Sequence, residues 1–169
     1  MNHMSKKNKN PDRGYAVLEL LFYIALFSIL SLVVINAMIT MARSFKETAL
    51  QAEFVQSGTI MERISREIRQ AYDVNSISTS SLRINTRDNI GAEKTVEFLL
   101  SGSNVQIFED DILVGNLNSS NIVVTGLAFS QITSALGKAV KVSFSVQSSN
   151  DTLGRTQDFY NTVVLRGSY

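Results

Sequence analysis

Two hydrophobic textures divide the chain. From Tyr15 to Ala42 the residues read YAVLELLFYIALFSILSLVVINAMITMA, and Glu19 is the only charged side chain among them. A helix that crosses a bilayer needs about 20 apolar residues, so this run is long enough to span one. It contains neither Pro nor Gly, and its Leu, Ala and Met content suits a helix that satisfies every backbone group internally. A secretory signal peptide has a shorter apolar region, about 7 to 15 residues, followed by a small-x-small site. Taken alone, the stretch reads most simply as a single-pass anchor.

Beyond Arg43 the apolar positions thin out to a stripe. Leu50, Phe54, Met61, Ile64, Ile68 and Tyr72 recur at spacings of 4, 7, 3, 4 and 4, which puts them on one helical face. The spacing predicts one helix over 15–72, apolar all round in 15–42 and amphipathic in 43–72. Charged residues fill the other face, with Glu62 and Arg66 placed to pair at four-residue spacing, and Gly58 is the weak point. Such a helix would be about 90 Å long at 1.5 Å per residue, so its first half belongs in lipid or in an assembly.

From Asp73 the period shifts to two. Short β-branched runs at Leu82 to Thr86, Thr95 to Ser101, Val105 to Glu109, Ile112 to Leu117, Ile122 to Thr125, Ala139 to Gln147 and Phe159 to Leu165 predict strands. Val140, Val142, Phe144 and Val146 alternate with polar residues, the mark of a strand with one buried face. Ser101 to Asn104 and Asp110-Asp111 read as hairpin turns, 73–81 as the connection between helix and sheet, and 148–155 as a polar link to the last strand. Residues 73–169 therefore form one β-rich domain, and the fold class is α+β: a long N-terminal helix packed on an antiparallel β-sheet.

Charge separates the N-terminus from the rest. Residues 1–14 hold Lys6, Lys7, Lys9 and Arg13 against Asp12, so their removal takes away 3 net positive charges and leaves about −2. By the positive-inside tendency this basic segment stays cytoplasmic and the chain after Arg43 is exported. The remaining balance argues against direct nucleic-acid binding. With no Cys and with His3 as the only histidine, disulfides, thiolate chemistry, a mature Ser-His-Asp triad and a histidine metal cluster are excluded. No catalytic residue, metal ligand set or cofactor site can be named. Glu109-Asp110-Asp111 lacks the spacing of a calcium loop and reads as a solvated turn. Asn118-Ser119-Ser120 and Asn150-Asp151-Thr152 match the glycosylation pattern, a short motif that carries little weight.

Gly14-Tyr15-Ala16-Val17-Leu18-Glu19, set between a basic leader and an apolar helix, resembles the processing site of type IV prepilins. Met61 to Ala71, with Arg63, Arg66 and Arg69, is similar to minor pilins and to J-type pseudopilins of type II secretion, and Phe159 to Arg166 looks like the closing strand of such proteins. The resemblance implies a pilin-like fold with 1–14 as leader, 15–42 as membrane and assembly helix, 43–72 as its exported half and 73–169 as globular domain. It implies cleavage between Gly14 and Tyr15 by a prepilin peptidase, N-methylation of Tyr15, and assembly through Glu19. The partners implied are other pilin or pseudopilin subunits and an inner-membrane assembly platform, the chain passing from the cytoplasmic membrane into a surface or periplasmic filament. The function implied is structural, as a minor pilus subunit or a secretion pseudopilin. The rival from another class is an uncleaved single-pass membrane protein with a ligand-binding β-domain.

Overall fold

The computed structural model describes residues 12–88, 90–135 and 137–166, with side chains from Tyr15 onward. Lys6, Lys7, Lys9 and His3 of the basic leader lie outside the described residues, as does the side chain of Arg13. The chain divides into two compact units, residues 1–47 and 48–169. One helix, α1 (Asp12–Gln70), runs through the boundary between them.

In the second unit α1 supplies one wall of the core. Leu50, Ile60, Met61, Ile64 and Ile68 are buried, and Phe54 packs at their edge. Full burial of a side chain such as Ile64 contributes about 1.5–3 kcal/mol. Small polar Ser57 and Ser65 are buried on the same side: the Ser57 hydroxyl returns to the Glu53 carbonyl at 2.9 Å, and Ser65 Oγ accepts from Asn161 Nδ2 at 3.0 Å. Gly58 does not break the helix; a Cβ there would sit 3.7 Å from the ring of Phe159, an ordinary contact. The pair expected between Glu62 and Arg66 does not form. Arg63 meets Glu67 at 3.1 Å instead, because Glu67 lies on the buried side of the helix whereas Glu62 faces solvent.

The helix stops where its backbone is captured by the first sheet. The Tyr72 amide donates to Asn85 O at 3.0 Å, and the chain enters β1 (Asp73–Ile77), followed by β2 (Ser81–Arg87), β3 (Glu93–Ser101), β4 (Asn104–Glu109) and β5 (Ile112–Asn116). These five form an antiparallel meander in sequence order. A second antiparallel sheet contains β6 (Ile122–Ser134), β7 (Gly137–Ser148) and β8 (Thr156–Val164), also in sequence order. The class is α+β, but with two sheets rather than one.

Two further expectations are corrected. Residues 73–81 are not merely a connection, since β1 pairs with β2 through Asp73↔Asn85 and Val74↔Ile84; as an edge strand it tolerates the polar residues that disguised it. The strand expected at Ile122 to Thr125 continues to Ser134, past a register shift between Val124 and Gly126, so a bulge interrupts the period of two without ending the strand.

Alternation holds the layers in register. Leu82, Ile84, Val96, Phe98, Val105 and Ile107 of the first sheet meet Val124, Leu127, Val140, Val142, Phe144 and Val146 of the second in one core with the α1 stripe. Asn118 joins the sheets: its Oδ1 accepts from the Val105 amide at 2.9 Å, and its Nδ2 donates to Ile122 O at 2.7 Å and Asn104 Oδ1 at 3.0 Å. A buried amide with both ends bonded fixes the crossover without an unsatisfied group.

Candidate functional site

Gly14, Tyr15 and Glu19 all lie in the first turns of α1. Tyr15 is 76% exposed, and Glu19 is exposed one helical turn further on. The Glu19 carboxylate is not alone among apolar side chains, because Tyr23 donates its hydroxyl to Glu19 Oε1 at 2.9 Å. Tyr15, Glu19 and Tyr23 thus form a row at four-residue intervals along one face. Sequence reasoning singled out the first two; the i,i+4 position of a tyrosine was the signal for the third.

Around this row the helix presents an apolar surface on every side. Each large apolar or aromatic side chain from Tyr15 to Met41 is between 46% and 76% exposed. The segment is long and apolar enough to cross a membrane. Two of its hydroxyls return to the helix backbone: Ser28 donates to Ile24 O at 2.8 Å and Thr40 to Asn36 O at 2.9 Å. Returning a hydroxyl to the preceding turn is how a helix carries Ser or Thr where water is scarce.

The acidic turn is built differently from a metal site. Asp110 and Asp111 both have positive φ, 49° and 66°, which makes the β4–β5 connection a two-residue hairpin of the kind that matches strand twist. Their carboxylates diverge. Asp110 Oδ1 accepts from the Thr95 amide at 2.8 Å, Asp111 pairs with Arg83 at 2.8 Å, and Glu109 pairs with Lys94 at 2.7 Å. The hydrogen bond from Arg83 to Asp111 is also the main reason the guanidinium is held above its ordinary pKa.

In the 148–155 link, Asp151 organises the backbone, accepting from the amides of Leu153 at 3.1 Å and Arg155 at 2.9 Å and from Arg155 Nε at 2.9 Å. The Arg155 side-chain bond, chiefly, holds its carboxyl well below the usual range against the opposing effect of burial, with the two amide bonds adding to it. Asn118 of the first glycosylation pattern is buried with its amide group committed, which leaves no accessible nitrogen for a sugar.

A shallow hollow of about 440 Å³ lies on the outward side of β6–β8 over Gly126, Ala128, Ser143 and Ser145, beside Asp158 and Tyr160. Ser145 and Asp158 bond each other at 2.6 Å. Comparison with family models, with curated proteins and with solved structures finds no match in any of the three.

Proposed function

We propose that the chain is a structural subunit, and a minor one, of a type IV pilus-like filament, cleaved between Gly14 and Tyr15 and assembled through the first half of α1. The observation that carries this reading is a helix surface apolar on every side that holds one carboxylate, Glu19, five residues after Gly14. A membrane anchor needs the apolar surface but not the acid, which costs a few kcal/mol in lipid without a partner.

Hydrolysis of the Gly14–Tyr15 bond adds water across the peptide, leaving a carboxylate on Gly14 and a free amine on Tyr15. That amine is a base, and once protonated it is a cation. It lies one turn from Glu19, so in a bundle of such helices the amine of one subunit meets the carboxylate of its neighbour. Neutralisation favours that register over sliding, and lipid contact is replaced by helix–helix contact. Tyr23 holds the Glu19 carboxylate by a hydrogen bond from an uncharged donor that the amine can supplement or replace. The β-domain, folded around its own core, then faces outward with its loops free to differ in partner.

Intact-mass and N-terminal analysis of the protein from its native membrane fraction tests the proposal, with Gly14→Ala as the processing control. A chain beginning at methylated Tyr15, lost in the variant, is the expected result. Retention of Met1 to Gly14 in the wild type would sink the filament reading and leave a single-pass anchor.

A further inference from the structure

Among the described residues, the end of α1 carries more positive charge than ion pairs use. Arg66 and Arg69 are three residues apart and so share a face, and the Arg166 amide donates to Arg69 O at 3.2 Å, bringing the end of the chain's last strand to the same place. The three arginines, with Gln70 and Val164, line an open hollow of about 410 Å³. Two ordinary employments for arginines at a helix end are already taken. The terminal carbonyls are satisfied otherwise: Glu67 O and Ile68 O share the Ala71 amide at 3.1 and 3.2 Å, Arg69 O takes Arg166, and Gln70 O takes the Thr86 hydroxyl at 3.5 Å. Ion pairing is likewise absent for these three among the described residues. Arg63, Arg83, Lys94, Lys138 and Arg155 each reach a carboxylate, and Arg87 lies over the Tyr72 ring at 5.5 Å.

We infer that Arg66, Arg69 and Arg166 form a binding site for a compact phosphate group. Each guanidinium presents a planar fork of N–H donors, and one carboxylate, with two oxygens, is filled by a single fork. Three forks around one hollow match the three or more oxygens of a phosphate, and the choice of arginine at every position fits that geometry where lysine would supply only point charge. A long polyanion suits the surface less well, because residues 48–169 carry ten Lys and Arg against twelve Asp and Glu, so that a strand extending beyond the hollow meets net negative charge. The ligand is therefore free phosphate or pyrophosphate, or a phosphate monoester on a small molecule. The inference does not depend on the filament reading.

The test is calorimetric titration of the full-length chain in an uncharged detergent with inorganic pyrophosphate at low ionic strength, where exposed charges are least screened. Saturable binding is expected, weakened at least about tenfold in Arg69→Gln/Arg166→Gln and within about twofold of wild type in Arg83→Gln, a charge change on the first sheet. Arg66→Lys and Arg166→Lys keep the charge but lose the fork, and an intermediate loss is expected of each. Far-UV circular dichroism establishes that the variants are folded. Absence of saturable binding, or an equal loss in Arg83→Gln, overturns the site. Tighter binding of a short single-stranded DNA, dependent on the same three arginines, overturns its assignment to a compact ligand.

Discussion

The two parts of α1 solve opposite problems with the same backbone. Between Leu50 and Ile68 a stripe of Leu50, Ile60, Met61, Ile64 and Ile68 is buried and Val55 alone of the large apolar residues is exposed, whereas between Tyr15 and Met41 the apolar residues surround the helix and stay exposed. A stripe means that the core supplies a partner within the chain. A full apolar circumference means that the partner lies outside it, in lipid or in other helices. The single-residue effects should therefore separate by place: substitutions in one part change the folding of the β-domain, and those in the other change membrane or filament behaviour alone.

The largest effect is expected at Phe98, fully buried in the first sheet. Phe98→Ala should cost about 3–5 kcal/mol of unfolding free energy, measured by denaturant unfolding of the full chain in detergent. Leu26→Ala, on the exposed apolar surface, should leave that value within about 0.5 kcal/mol. A large loss from Leu26→Ala would dissolve the distinction between the two parts. Glu19→Ala sharpens it: on the proposed assembly, incorporation into filaments, followed by immunoblotting of sheared fractions, should fall at least about tenfold, equivalent to the loss of one partnered charge in lipid-like surroundings, while the unfolding midpoint stays unchanged.

Acid should act on the β-domain through Asp151. Because the Arg155 hydrogen bond lowers the folded-state pKa of this carboxyl, its stabilising contribution is complete above the unfolded value of about 3.9 and is lost as pH falls through the folded value. Unfolding midpoints followed downward from pH 5 should thus drop more steeply for the wild type than for Asp151→Asn once the pH passes below about 4. Identical slopes would remove Asp151 from the account. The smallest effect is expected at Gly58, where the Cβ of alanine finds an ordinary 3.7 Å contact with Phe159. Gly58→Ala should stabilise by about 0.5–1 kcal/mol through helix propensity, read from the same unfolding curves.

Much of this arrangement was legible where one physical signal dominated. The apolar run and the stripe from Leu50 announced both parts of the helix, short β-branched runs announced β2, β3, β4, β5 and β8, and alternation announced β7. The misses fall where tertiary contacts override local pattern. Nothing within Asp73 to Ile77 marks a strand; β2 makes it one by pairing. The register shift beside Gly126 hid the second half of β6, and the join between the two sheets is held by Asn118, whose bonds to Val105, Asn104 and Ile122 are visible only after the chain has folded. At the candidate site Gly14, Tyr15 and Glu19 could be named from the sequence, but the hydrogen bond from Tyr23 needed the helix to place it. The convergence of Arg166 on Arg66 and Arg69 joins residues about a hundred positions apart in the chain, a distance no local pattern spans.

The inward-turned hydroxyls of Ser28 and Thr40 have a consequence for exchange between environments. Because each is satisfied by its own helix, moving the segment from hydrocarbon into a bundle breaks no hydrogen bond at either residue and demands none from the new neighbours. On the proposed assembly these two side chains favour neither apolar medium over the other, which leaves the ionic contact at Glu19 to set where the helix comes to rest.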